Sequence, residues 1–182
     1  MGNFAFPLSQ GNPNLTIYAC DFAEKAIELF RADQRYTSGR CIAFVADLTA
    51  DKLYEHVQLN SIDVVTCIFV ISAIPPEKFP QTIENIKSVL RPNGIVLFRD
   101  YARDDAAQKR FKDDRMLSES LFVRQDGTLA YYFEQEELIR LFTKAGFICS
   151  SCDLIHSKTT NIKKDIDVER LFIQAKFTLD SP

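Results

Sequence analysis

No apolar run in this chain approaches the roughly 20 residues needed to cross a bilayer. The opening residues, Met1-Gly2-Asn3-Phe4-Ala5-Phe6-Pro7-Leu8, lack the basic start and the length of a secretion signal. Phe6 stands where a myristoylation signal needs Ser or Thr, so the glycine after Met1 is not a lipid site. Neither charge sign dominates: 22 Lys and Arg face 25 Asp and Glu, a net charge of -3. A chain-wide basic field is thereby excluded, and any nucleic-acid surface must be a local patch. Histidine is scarce, with only His56 and His156, and Cys149-Ser150-Ser151-Cys152 has no second cysteine pair. No metal site is expected, and these two cysteines read as strand residues. The cysteines number five, which is odd, and three fall inside or at the ends of core strands. They read as reduced thiols of an intracellular protein, cytoplasmic, with the nucleus as the alternative compartment. Repeats and low-complexity segments are also lacking, so residues 1–182 are expected to form a single domain.

What is present alternates. Residues 15–21 and 41–45 are short apolar strands, and 23–30 between them has helical spacing with Ala26, Ile27 and Phe30 on one face. Residues 53–57 suggest a short helix. Residues 62–70 are a nearly continuous β-branched run, expected as a central strand buried on both faces. Pro75 and Pro76 turn the chain out after it. Residues 81–90 form an amphipathic helix with Ile83, Ile86, Val89 and Leu90 inward, ended by Pro92 and Gly94. Residues 95–98 are another buried strand. The order βαβ(α)βαβ predicts a doubly wound α/β fold on a parallel sheet. Residues 102–133 break the rhythm as a charged insertion on the substrate side, with a hairpin turning at Gln125-Asp126-Gly127-Thr128. A helix over 134–145 stops at Gly146. Strands over 147–155 and 169–177, joined by a polar, lysine-bearing loop, close the chain as an antiparallel pair.

In such sheets ligands sit outside the carboxyl ends of the strands. Asp21 ends the first visible strand, where a carboxylate suits ribose hydroxyls. Asp47-Leu48 ends the next and suits an adenine, its amino edge bonded and its face packed; a helix cap is the alternative for Asp47. Ile68 could close the other adenine face or be plain core. Arg99-Asp100-Tyr101 ends the fourth strand, either as a clamp on a planar polar group or as a salt-bridged strand end. Arg103, Lys109, Arg110, Lys112, Arg115 and Arg124 then alternate with Phe111, Phe122 and Tyr131. Basic residues among aromatics fit an RNA backbone with an unstacked base, although Asp104, Asp105, Asp113, Asp114 and Glu119 dilute the charge.

Five stretches in order carry a resemblance: Tyr18-Ala19-Cys20-Asp21-Phe22, Asp47-Leu48-Thr49, Ile68-Phe69-Val70-Ile71-Ser72-Ala73-Ile74, Leu97-Phe98-Arg99-Asp100-Tyr101 and Phe122-Val123-Arg124-Gln125-Asp126-Gly127-Thr128. The chain closely resembles the methyltransferase-like tRNA 3-methylcytidine methyltransferases, most of all the serine-tRNA branch. The resemblance implies a Rossmann-like class I methyltransferase sheet whose last strand is antiparallel. It implies S-adenosyl-L-methionine as cofactor, contacted at Gly2, Asp21, Asp47, Leu48 and Ile68. It implies a tRNA partner methylated at N3 of cytidine 32 in the anticodon loop, seryl-tRNA synthetase as a protein partner, and neither metal nor membrane. Cytosine N3 already holds a lone pair, so alignment and desolvation should dominate catalysis. A carboxylate near the base would offset its gathering charge, and Asp100 is the candidate. Arg99, Arg110 and Arg124 would hold phosphate or base, with Tyr101 or Phe111 stacking.

The resemblance also marks a departure. The family opens with a substrate-binding segment, a strand and a Gly-Cys-Gly-x-Gly-Asn loop, of which only Gly2-Asn3 stands here. The expectation is an N-terminally truncated domain, lacking the first strand and most of the glycine loop. Its neighbours must then leave two sheet edges or pair directly. Two further readings follow: a catalytically silent fragment that only binds protein or RNA, and a nicotinamide oxidoreductase, which the terminal strand pair and the Arg-Asp-Tyr insertion disfavour.

Overall fold

The computed structural model describes residues 2–161 and 166–180, with side chains of 159–161, 166 and 167 excepted. The chain divides into two compact units, Met1–Gln58 and Leu59–Pro182.

In the first unit, β1 (Ile17–Asp21) and β2 (Cys41–Val45) pair in parallel, Ile17 opposite Cys41 and Asp21 opposite Val45. The helix α2 (Glu24–Arg31) joins them and buries the anticipated Ala26, Ile27 and Phe30. An unanticipated helix, α1 (Ala5–Gly11), precedes them. Seven residues give too little periodicity to read, and Pro7 is tolerated only because it lies in the first turn. Phe6 of α1 is fully buried and stacks on Phe30 at 4.6 Å, and the two make the core with Ile27, Cys41 and Ala43. Leu53–Glu55 is a single 3-10 turn where a short helix was expected.

The second unit holds a mixed four-stranded sheet in the order β3-β4-β9-β8. β3 (Ile62–Ile68) and β4 (Leu90–Tyr101) are parallel; β9 (Ile166–Leu179) runs antiparallel between β4 and β8 (Phe147–Asn161). The closing pair is therefore antiparallel, as expected, and longer than its apolar runs. Register extends to Asn161 opposite Ile166, and the lysine-bearing loop at 162–165 lies outside the described residues. The helix α3 (Phe79–Val89) buries Ile83, Ile86 and Val89, and α4 (Gln135–Lys144) buries Leu138 and Phe142. Gly146, at φ +89, ends α4 in the left-handed conformation that glycine adopts freely. Gly94 is required for a different reason: a Cβ there would lie 2.7 Å from the Arg91 carbonyl oxygen.

Three expectations about the sheet change. The central strand stops at Ile68, not residue 70, because Phe69 turns to φ +56 and Ile71–Ala73 coils into a 3-10 turn. It is not buried on both faces: Val64 is 45% exposed and only Cys67 of the strand is buried. The physical reason is pairing. Among the described residues β3 pairs only with β4, and β1 only with β2, so of the two outcomes expected for a missing first strand, open edges and direct pairing, the open edges are the one seen. Last, β4 begins directly after α3 at Leu90 and carries Pro92 and Gly94 within it. A register shift against β3 between Ile62 and Val64 absorbs them.

Residues 102–133 contribute a separate small sheet of β5 (Met116–Ser118), β6 (Leu121–Val123) and β7 (Leu129–Tyr131). The predicted hairpin is β6–β7, with Val123 opposite Leu129. Asp126 closes its turn by accepting from the Thr128 amide at 3.0 Å and hydroxyl at 2.7 Å, and Gly127 takes φ +84.

Phe142 is fully buried and lies face to face with Phe177 at 4.1 Å, joining α4 to β9. Phe142→Ala is expected to lower unfolding free energy by about 3–5 kcal/mol, measured as a reduced denaturant midpoint.

Candidate functional site

β4 positions the site. A strand sends successive side chains to opposite faces, so Arg99 and Tyr101 share one face and Asp100 takes the other. Tyr101 is half-buried at the centre of an aromatic and cationic cluster. Its ring centroid lies 5.2 Å from Phe69, 5.6 Å from Tyr132 and 6.2 Å from Phe172. The guanidinium of Arg124 is 5.3 Å from the same centroid and that of Arg170 5.7 Å. These distances suit cation–π attraction.

Around this ring opens a cleft of about 510 Å³, lined among others by Arg110, Phe111, Lys112, Arg115, Arg124, Tyr132 and Arg170. Asp114 is the acidic residue in its wall, so cations outnumber it although the chain as a whole is negative. Arg124 is held in place by donating from Nη1 to the Leu129 carbonyl at 2.6 Å and the Thr128 hydroxyl at 3.2 Å. Phe111 stacks on Phe122 at 4.8 Å, which covers one of its faces. Burial, with the charge of Asp105 nearby, pushes the Tyr132 phenol up to about 12, so it stays protonated at neutral pH.

Of the residues expected to meet the substrate, Tyr101, Arg110, Phe111 and Arg124 line this cleft and Arg99 does not. Arg99 donates to Gln174 at 2.8 Å and lies 5.1 Å from the Phe172 ring centroid. Asp100 requires a correction as a carboxylate facing a base. It is 0% exposed, and its oxygens accept from the Ser72 amide at 2.9 Å and from its neighbour's amide, Tyr101, at 3.0 Å. Strand alternation puts it on the inner face, where it pins the turn after β3. Neither a clamp nor a salt-bridged strand end describes the Arg99-Asp100 pair.

Arg170 and Asp105 were missed. Asp105 read as one diluting acid among five, and Arg170 lies in the last strand, 65 residues away. Only the register of β9 brings them together. Asp105 is 0% exposed and accepts from Arg170 Nε at 3.0 Å, Arg170 Nη2 at 2.9 Å and the Leu171 amide at 2.8 Å.

The residues expected at the cofactor fall in both units. Gly2 takes φ +75, and a Cβ there would lie 2.1 Å from the Phe6 ring, so no other residue fits without displacement. Asp21 ends β1 and uses Oδ1 to accept the Ala23 amide at 2.9 Å at the start of α2. Asp47 is exposed after β2 and accepts the Thr49 amide and hydroxyl on Oδ1, both at 2.8 Å, so it caps a turn rather than a helix. Leu48 beside it is half-buried. In the second unit Ile68 is the last residue of β3, half-buried opposite Arg99. Among the described residues each aspartate bonds through Oδ1, and carboxylate oxygens accept from hydroxyls and amines, so the donor chemistry of a ribose and an adenine fits. No cluster of three metal-binding side chains exists among the described residues, and no described helix is long and apolar enough to cross a membrane.

A family model described as a methyltransferase domain matches residues 2–151. A SAM-dependent methyltransferase from Methanosarcina mazei superposes with a TM-score of 0.72 at 16% identity, covering 97% of this chain and 87% of that one. The fold is thus the α/β class I fold of S-adenosylmethionine-dependent methyltransferases. The human tRNA N(3)-cytidine methyltransferase METTL6 is 43% identical over 97% of the chain, and the Schizosaccharomyces pombe tRNA N(3)-methylcytidine methyltransferase trm141 is 40% identical over 96%. The chain belongs to this tRNA N(3)-cytidine methyltransferase family. It spans 62% of the human relative's length and 71% of the yeast relative's.

Burial raises the Asp100 carboxyl from 3.8 to about 6, against the lowering effect of its hydrogen bonds from Ser72. A folded-state value above the unfolded one means that the folded protein binds the extra proton. Stability from this group is fully present below pH 4 and is lost as pH rises through 6, by roughly 3 kcal/mol in all. Asp100→Asn removes the titration. Urea unfolding from pH 4 to 7 is expected to show this falling contribution in the parent and not in the variant.

Proposed function

We propose that the chain carries out S-adenosylmethionine-dependent methylation of N3 of cytidine 32 in the anticodon loop of serine tRNAs. The basic, aromatic cleft around Tyr101 is the observation that carries this reading, because it pairs phosphate-binding cations with ring surfaces for an unstacked base. Family membership supplies the reaction class. Residues 102–133 form the substrate-side insertion of the methyltransferase domain, and seryl-tRNA synthetase is the proposed protein partner.

Within the first unit Asp21 takes the ribose hydroxyls of the cofactor, Asp47 the adenine amino group and Leu48 an adenine face, and Gly2 gives backbone access. When bound, the cofactor supplies a sulfonium methyl, which the N3 lone pair of cytosine accepts with no prior deprotonation. Side chains therefore need only to hold and to desolvate. Arg110 and Arg124 bind the RNA backbone, and Tyr101 and Phe111 stack against the base. Arg99 supports Phe172 from outside the cleft. Asp100 serves as a positioning residue: it fixes the Ser72 turn and the start of the Arg99-Asp100-Tyr101 exit from the sheet.

A silent RNA- or protein-binding module is the second reading. Calorimetric titration with S-adenosylhomocysteine separates the two. Binding, followed by 3-methylcytidine formation in a serine-tRNA anticodon stem–loop, supports the enzyme. RNA binding with no cofactor heat supports the module and sinks the enzymatic reading. In either case Arg110→Ala and Arg124→Ala should each reduce the slope of log affinity against log salt by about 1, read by fluorescence anisotropy at several salt concentrations.

A further inference from the structure

We propose that Asp105 and Arg170 form a positioning pair that presets the plane of Tyr101 for stacking on an unpaired base, an inference that rests on the RNA reading above. Asp105 is wholly buried and saturated. Besides Arg170 and the Leu171 amide it accepts the Ala107 amide at 3.2 Å. Such a carboxylate has no capacity left for a ligand, so its work is on the protein itself.

That work is to hold one guanidinium. Both Asp105 oxygens lie 3.0 Å from Arg170 Nε, and Oδ2 lies 2.9 Å from Nη2. Bonds along that edge fix the plane of the group, which a lysine ammonium could not reproduce. The fixed guanidinium lies 5.7 Å from the Tyr101 centroid and 5.2 Å from that of Phe172. It therefore braces the two rings together at the mouth of the cleft. A buried ion pair is seldom more stabilising than apolar packing of the same size, so its value here is geometric.

Phe69 adds an independent sign of constraint. It contacts both Tyr101 and Phe172 while held at φ +56, a left-handed conformation that bulky residues rarely adopt. Tyr101 is thus packed by Phe69 and Phe172 and flanked by Arg124 and Arg170, while its remaining surface lines the cleft. A ring whose plane is set beforehand loses little freedom when a base stacks on it.

The test uses the full chain and a stem–loop RNA with pyrrolocytosine, whose fluorescence falls on stacking, at the loop cytidine. The parent protein should quench the probe and Tyr101→Ala should not. Arg170→Lys keeps the charge, so RNA affinity should stay within about threefold, yet most of the quenching should disappear. The paired exchange Asp105→Asn with Arg170→Gln leaves no buried charge unpaired and should lose the quenching too, which covers any failure of the single variant to fold. Parent-like quenching in Arg170→Lys and in the double variant, with Tyr101→Ala dark to stacking, overturns the positioning role alone. Parent-like quenching in Tyr101→Ala, or no RNA binding by the parent, overturns the RNA reading of the cleft beneath it.

Discussion

The antiparallel ladder between β4 and β9 is the constraint on which the site depends. Its register runs from Ile95 opposite Thr178 to Tyr101 opposite Phe172, and the Ala102 amide extends it to the Leu171 carbonyl at 3.2 Å. Residues of β9 nearer its start therefore lie past the end of β4. Arg170 is the next one along. A slip of one residue would move Arg170 and Phe172 together to the other face and leave Tyr101 without either. The sheet core resists such a slip, because Phe98, Phe142 and Phe177 interlock beneath the same ladder.

Two buried carboxylates then tie loops to the end of β4, and their environments differ in an instructive way. Asp100 meets only neutral donors, from Ser72 and Tyr101, so its desolvation is incompletely offset and its carboxyl rises to about 6. Asp105 meets a guanidinium in three contacts as well as two backbone amides. One carboxylate holds the turn that follows β3, and the other joins the loop after β4 to β9. Loops at strand ends otherwise retain much of their conformational freedom, and a binding surface built on them would have to order itself anew with every ligand.

Much of this architecture was legible from periodicity and turn chemistry. The helix faces of α2 and α3, the Gln125-Asp126-Gly127-Thr128 hairpin and the antiparallel final pair all follow from local signals. Pairing partners do not. The β-branched run at 62–70 reads as a strand buried on both sides, but burial depends on neighbours that no single strand specifies. That Tyr101, Arg110, Phe111 and Arg124 line one cleft is legible in part, because they follow one another in sequence after a strand end. Arg170 was invisible because its importance arises from register, and Asp105 because buried and solvated aspartates look alike as letters. Asp100 reads as base-facing for a simpler reason: the triplet Arg99-Asp100-Tyr101 looks like one group, whereas a strand deals its members to two faces.

The proposed chemistry makes sense of what the cleft contains and of what it does not. Most methyl acceptors with a proton on the attacking atom need a base beside them, and an ionised carboxylate facing the cleft would be the natural one. Cytosine N3 carries its lone pair unprotonated at neutral pH, so a general base has nothing to remove. A carboxylate freed from that task can be buried as a structural tie. Asp114 apart, the charged and aromatic wall of the cleft is made of planar rings and cations, which suit the phosphates and base faces of RNA. Their charge is local, set against a chain that is negative overall. In the proposed reading, binding then depends on the few cations of the cleft rather than on attraction by the whole molecule.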